Sequence, residues 1–231
     1  MQRRTLMTGG AALALTGAGQ AQAAAGPVVL ELFTSQGCSS CPPADALLGE
    51  LAKQPGVIAL AWHVDYWNNL GWRDPFASAA WTDRQRAYAA ALRDEVYTPA
   101  LVVNGAAMVV GSDSYAVRKA MAAAPAAPVA VTLRRSAAGL DMEAAGLPQG
   151  ATALLVFYDP EHATAVAAGE NSGRRLKEYR VVRAAREIAM SEGRAAAPDA
   201  PAGQGAALLV RDRAWRIIGA ADLPPAPKVT G

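Results

Sequence analysis

The chain has two cysteines, Cys38 and Cys41, and their neighbourhood constrains the fold more than any other stretch. Upstream, Val28 to Phe33 (Val-Val-Leu-Glu-Leu-Phe) reads as a buried strand. A loop over 34–37 leads into Cys38-Ser39-Ser40-Cys41-Pro42-Pro43. A helix is predicted from about Pro43 to Ala52, with Leu47, Leu48 and Leu51 on one face. The two prolines fit only in its first turn, where backbone N–H groups have no intrahelical acceptor. Unpaired N–H groups and the positive dipole end lower the pKa of a thiol placed there. A second thiol one turn on resolves a mixed disulfide. This assigns Cys38 as nucleophile and Cys41 as the more buried resolving thiol. A plain disulfide is the alternative, yet so small a loop removes little unfolded-state entropy. A metal site is the other: zinc needs about four ligands, and only His63 and His162 remain as further soft ligands.

The 231 residues suffice for one large domain or two small ones, and a 52% apolar content supports a sizeable core. Residues 1–23 read as a signal peptide. Arg3-Arg4 is a short basic start, Leu6 to Ala18 is apolar, and Ala21-Gln22-Ala23 fits small-x-small cleavage. The arginine pair admits the ordinary secretory and the twin-arginine routes alike. Without that leader the chain has equal numbers of basic and acidic residues. Nothing in this balance selects nucleic acid or a membrane surface as partner. No second apolar run of spanning length follows, so no membrane span is expected in the mature chain. Export places the cysteines where disulfides persist.

Further along, Val57 to Val64 reads as a strand, Asp65 to Pro75 as an aromatic loop and Phe76 to Arg93 as a helix. Ala100 to Val103 and Ala107 to Val110 flank Asn104-Gly105, a hairpin signal. A helix over 112–124 takes Ser112 or Asp113 as cap. A run of Ala and Pro at 122–128 marks a boundary. Residues 127–223 then read as a β-rich antiparallel unit packed on residues 27–124, with 176–188 ambiguous between strand and helix and 195–205 a loop.

The order strand, helix, strand, helix, strand, strand, helix, with Cys-x-x-Cys at the first helix and Thr98-Pro99 before the third strand, resembles the thioredoxin fold. The fold class is therefore expected to be α/β, thioredoxin-like, with a β-rich antiparallel C-terminal part. The resemblance implies a cis Pro99 facing the cysteine pair and a Thr98 backbone free to pair with an extended substrate. An ordinary trans proline opening an edge strand is the alternative. Glu31 is the only charge in its strand, and thioredoxins carry an acid close to this place. A carboxylate under Cys41 would relay its proton; a surface-facing or salt-bridged Glu31 is the alternative.

Tyr66, Trp67 and Trp72 cluster between His63 and Phe76. They are candidates for substrate binding, or an aromatic mini-core pinning a long insertion. Arg84 and Tyr88, four apart on the following helix, share a face and are placed to hold this loop. His63 reads as a packing residue, and Gly169 to Arg174 as a surface turn with a capacity for an anion.

Phe33 to Asp45, the 64–76 loop, Tyr97-Thr98-Pro99, Val102 to Gly105 and the Gly169–Arg174 turn together resemble a family of secreted bacterial thioredoxin-like proteins known as a domain of unknown function. The resemblance implies the fold and export and supplies no substrate. The expected activity is periplasmic or secreted thiol–disulfide exchange through Cys38 and Cys41, oriented by Pro99, with no cofactor. The partners would be thiol- or disulfide-containing proteins. Two alternatives stand. One is a chaperone-like copper carrier using Cys38, Cys41 and His63. The other is a non-catalytic binding protein with a structural disulfide.

Overall fold

The computed structural model describes residues 26–226; the expected signal peptide lies outside them. In chain order the elements are β1 (Val28–Thr34), α1 (Pro42–Leu51), β2 (Val57–His63), α2 (Ala79–Leu92), β3 (Ala100–Val103), β4 (Ala107–Val110) and α3 (Ser114–Ala122). There follow β5 (Val131–Ser136), β6 (Gly139–Ala144), β7 (Thr152–Ala165), β8 (Arg175–Ile188), β9 (Arg194–Ala197), β10 (Gly205–Arg211) and β11 (Ile217–Leu223). The fold is mixed α/β. One eight-stranded sheet has the order β11-β10-β7-β8-β2-β1-β3-β4, and β5-β6-β9 form a second sheet.

Strand alternation sorts the core into two faces. Leu30 and Leu32 of β1 point with Ala59 and Ala61 of β2 towards α1 and α3, meeting Leu47, Leu48, Leu51 and Val117. Val29 and Phe33 point the other way, with Ile58, Leu60 and Trp62, towards Tyr88 of α2. Each fully buried Leu or Phe contributes about 1.5–3 kcal/mol. Sequence-local signals set the ends. Ser78 caps α2 through Ala80 N, and Asp113 caps α3 through Tyr115 N and Ala116 N. At the β3–β4 turn Asn104 and Gly105 have φ of 46° and 62°, the backbone such a hairpin demands. A side chain on Gly105 would also overlap the Trp215 carbonyl.

Four C-terminal strands extend the sheet of the N-terminal half. β8 runs parallel to β2 with Ala61 opposite Val181, and β7, β10 and β11 add antiparallel. Leu133, Leu140 and Met142 of the small sheet pack on Leu155, Leu208 and Val210 of the large one. The stretch 176–188, ambiguous in the sequence, is strand, because β7 pairs with it along its length and β2 meets it at Val181. Part of the expected 195–205 loop is β9, paired with β6.

β7 and β8 are each 14 residues long, twice the length of β1 or β2. β10 accompanies β7 only as far as Tyr158, and β2 meets β8 only at Val181. Beyond those points residues 159–180 form a two-stranded arm whose only ladder among the described residues is its own. A register shift between Phe157 and Tyr158 and a left-handed Arg180 (φ 58°) mark its root. Arg180 fixes that root by donating to the Ala59 carbonyl (2.8 Å) and to Asp222 (2.8 Å). The arm then lies on α1, where the Tyr179 ring fills the space over Gly49. In an exposed helix interior Gly→Ala gains about 1 kcal/mol. Here the added methyl overlaps the ring, so Gly49→Ala is expected to cost about 1–3 kcal/mol through overpacking. Urea denaturation reads the sign; a stabilised variant would refute this packing.

Candidate functional site

Cys38 and Cys41 are joined in a disulfide. Cys41 is the N-cap of α1, with Pro42 and Pro43 opening the helix. Cys38 lies one turn upstream, its N–H on the Ser35 carbonyl (3.1 Å) and its own carbonyl accepting from Cys41 N (3.2 Å). Cys41, the expected resolving residue, thus occupies the helix start at which Cys38 is expected. Both cysteines are fully buried, while Ser39 and Ser40 between them are exposed.

The tip of the β7–β8 arm docks on the cysteine loop. Asn171, itself fully buried, donates from Nδ2 to the carbonyls of Gln36 (2.9 Å) and Cys38 (3.0 Å). Glu170 accepts from Ser39 N (3.1 Å). Arg174 donates to Asn171 Oδ1 (2.8 Å) and holds its amide in place. The Gly169–Arg174 segment, expected as a surface turn or an anion site, is a docked cap on the cysteine loop. The reason is tertiary: a long hairpin carries it across α1.

The Thr98–Pro99 peptide is cis. Pro99 is buried and its carbonyl accepts from Gly111 N (2.9 Å). The Thr98 hydroxyl accepts from the Trp67 indole (2.8 Å). Trp72 donates to Gln36 Oε1 (2.9 Å), and Tyr66 to Gln85 Oε1 (3.2 Å). All three aromatic side chains are half-buried, with their polar atoms spent inside the protein. They hold the insertion against the cysteine loop, as an aromatic mini-core does.

Glu31 is where the structure corrects the expected proton relay. Alternation turns it to the α2 face, away from α1 and the cysteines. There Arg84 donates Nε to Oε2 (2.7 Å) and Nη2 to Oε1 (3.0 Å), and Tyr88 OH donates to Oε1. Arg84 and Tyr88 share a helix face as expected, but they serve Glu31. Loop holding falls to Gln85, between Tyr66 and the Tyr97 carbonyl.

The buried acids of the cysteine face are others. Asp45 lies one turn beyond Cys41, its N–H on the Cys41 carbonyl (3.2 Å). His63, at the end of β2, pairs through Nδ1 with Asp74 Oδ2 (2.7 Å). Asp74 also accepts from Gln36 N (2.8 Å) and Phe76 N (2.9 Å). Gln36 bridges to Glu178 on the arm (3.0 Å). Asp45 Oδ1, His63 Nε2 and the Thr34 hydroxyl are buried without a hydrogen-bond partner. Burial pushes the Asp45 carboxyl up to about 7 despite the opposing His63 charge. Burial alone would depress His63, but the Asp74 charge and hydrogen bond overcome it and raise it to about 9. Asp74 is lowered, because the His63 charge and three hydrogen bonds outweigh its own burial. Glu178 is raised, by burial. Sequence alone assigns no role to Asp45, Asp74 or Glu178, and Asn171 lies within the Gly169–Arg174 turn. Only Asp45 left a signal, its i+4 spacing from Cys41 on the helix face that carries Leu48.

Among the described residues no three His, Cys, Asp or Glu side chains gather as a metal site. In the disulfide state neither Cys38 nor Cys41 offers a thiolate as a ligand. None of the described helices is long and apolar enough to cross a membrane.

These features define a mixed α/β protein with a covered Cys-x-x-Cys disulfide at the start of a helix. The chain belongs to the family described as protein of unknown function (DUF1223), whose model matches residues 29–210. The crystal structure of protein AGR_C_4864 from Agrobacterium tumefaciens is similar, at 27% identity and a TM-score of 0.72, over 90% of this chain and 98% of that one. HBP35 of Porphyromonas gingivalis shares 15% identity, with a TM-score of 0.56 over 89% of this chain and 78% of that one, a likeness of fold alone. No curated protein matches the chain.

Proposed function

We propose that the chain is an exported thioredoxin-like thiol–disulfide oxidoreductase acting on cysteine-containing proteins in the periplasm or outside the cell. The observation that carries this reading is the Cys38–Cys41 disulfide at the N-cap of α1. The order β1-α1-β2-α2-β3-β4-α3, with β1 parallel to β2 and antiparallel to β3, supports the fold assignment. So does the cis Thr98–Pro99 bond. The expected leader and a disulfide suited to an oxidising compartment support export.

In the oxidising direction a partner thiolate attacks Cys38 Sγ. The Cys38–Cys41 bond breaks and its electron pair leaves on Cys41 Sγ. That charge develops at the helix N-terminus, where the positive end of the dipole favours it. Asp45, one turn away and partly protonated near neutral pH, is placed to supply the proton. A second partner thiolate then attacks the mixed disulfide and Cys38 leaves. The partner has formed one disulfide and the protein has become a dithiol. No organic cofactor enters.

A structural disulfide in a binding protein is the second reading, favoured by the full burial of both cysteines. Equilibration against a glutathione series separates the two. The expected reduction potential lies between about −270 and −120 mV, the span of exchange proteins. A value below about −300 mV, typical of structural disulfides, would overturn the oxidoreductase reading.

A further inference from the structure

Exchange needs access to sulfur, and here both cysteines are fully buried with the arm tip bonded to the main chain of their loop. The tip is held by few bonds, from its side chains to main-chain groups of the cysteine loop, and Gln36 Nε2 adds side-chain bonds to Thr164 and Glu178 further along the arm. Asn171 gives two donors to the carbonyls of Gln36 and Cys38, and Glu170 gives an acceptor to Ser39 N. Two acceptors and one donor on neighbouring residues are what an extended polypeptide recognises. Among the described residues the arm beyond Tyr158 and before Val181 has no ladder except its own, so its lifting breaks no strand pairing between them. Its root already carries the register shift and the left-handed residue that let a hairpin bend.

Resting on the exchange reading, we propose that the arm tip is an internal stand-in for the partner. The substrate is an extended polypeptide segment around a cysteine, which displaces Asn171 and Glu170 and takes over their main-chain hydrogen bonds. Only then does its thiolate bond to Cys38 Sγ, with the electron pair of the broken disulfide leaving on Cys41. A small thiol lacks the main-chain groups to compete and finds the disulfide closed. The arm therefore selects protein substrates against small thiols.

The test compares reduction rates of the full mature protein by three probes at equal thiolate concentration. These are 2-mercaptoethanol, a single-cysteine peptide, and the same peptide N-methylated on the residues flanking its cysteine. Wild type is expected to react with the free peptide about tenfold or more faster than with 2-mercaptoethanol, the worth of one to two hydrogen bonds. N-methylation should erase that advantage. In Asn171→Ala/Glu170→Ala the 2-mercaptoethanol rate should rise to meet the peptide rate. Equal rates for all three probes on wild type, or no faster reaction with 2-mercaptoethanol in the variant, overturns the proposal. A urea series guards against unfolding: acceleration that grows with urea as steeply as global unfolding also overturns it. The reduction potential is measured separately. A structural potential with gated rates refutes the exchange reading but leaves the cover; an exchange potential with ungated rates does the reverse.

Discussion

Replacing Arg84 with methionine is expected to cost about 3–5 kcal/mol, the loss seen when one partner of a buried ion pair is removed. Its side chain is 9% exposed and Glu31 beneath it is 1% exposed. Two charge-assisted bonds join them, and Tyr88 completes the carboxylate. The guanidinium also lies over the rings of Trp62 (4.8 Å), Tyr88 (5.2 Å) and Trp215 (5.7 Å), so one side chain gathers β2, α2 and the β10–β11 turn. Methionine keeps much of that packing and strands the Glu31 charge in an apolar layer. Glu31→Gln in the same chain removes the charge, and the double variant should recover more than half of the loss. Urea denaturation of both variants checks this. A single-variant loss under about 1 kcal/mol would show that water reaches the pair.

Asp74→Asn is the second large effect, and it carries a pH signature. His63 holds its proton to about pH 9 in the folded chain, against an ordinary value of 6.5. The stability this supplies is fully present below 6.5 and is lost as pH rises through 9. Asp74, lowered in the fold, supplies stability above its ordinary 3.8 that is lost as pH falls. Asp45, raised from 3.8 to about 7, costs stability progressively as pH climbs through that interval. These three groups together predict greatest stability in mildly acidic solution and a steady decline towards pH 9. Asp74→Asn unpairs His63 and should cost about 3–5 kcal/mol at pH 6. It should also flatten the decline between pH 6.5 and 9. Melting temperatures across pH 4–9 for wild type and variant test both statements. An undiminished alkaline decline in the variant would show that His63 does not carry it.

What the sequence determined by itself is local. The apolar run of β1, the prolines after Cys41, the Asn104-Gly105 turn and the Asp113 cap each act within a few residues. Backbone sterics and unsatisfied N–H groups make such signals readable without a partner. The cysteine pair at a strand–helix junction was legible for that reason. The side on which each charge falls was not. Alternation shows that Glu31 shares a face with Val29 and Phe33, but which helix covers that face is decided by packing. Its partner Arg84 comes from 53 residues away. The cover is further still: Asn171 reaches Cys38 across 133 residues of chain, and Glu178 reaches Gln36 across 142. Those contacts exist because β8 found a parallel neighbour in β2, and the hairpin, too long for the sheet, folded onto α1. Hydrophobic burial is non-directional and chooses among many pairings only when the whole core is assembled. The tertiary structure thus docked a glycine-flanked polar turn on the cysteine loop and buried Asp45 one turn beyond Cys41.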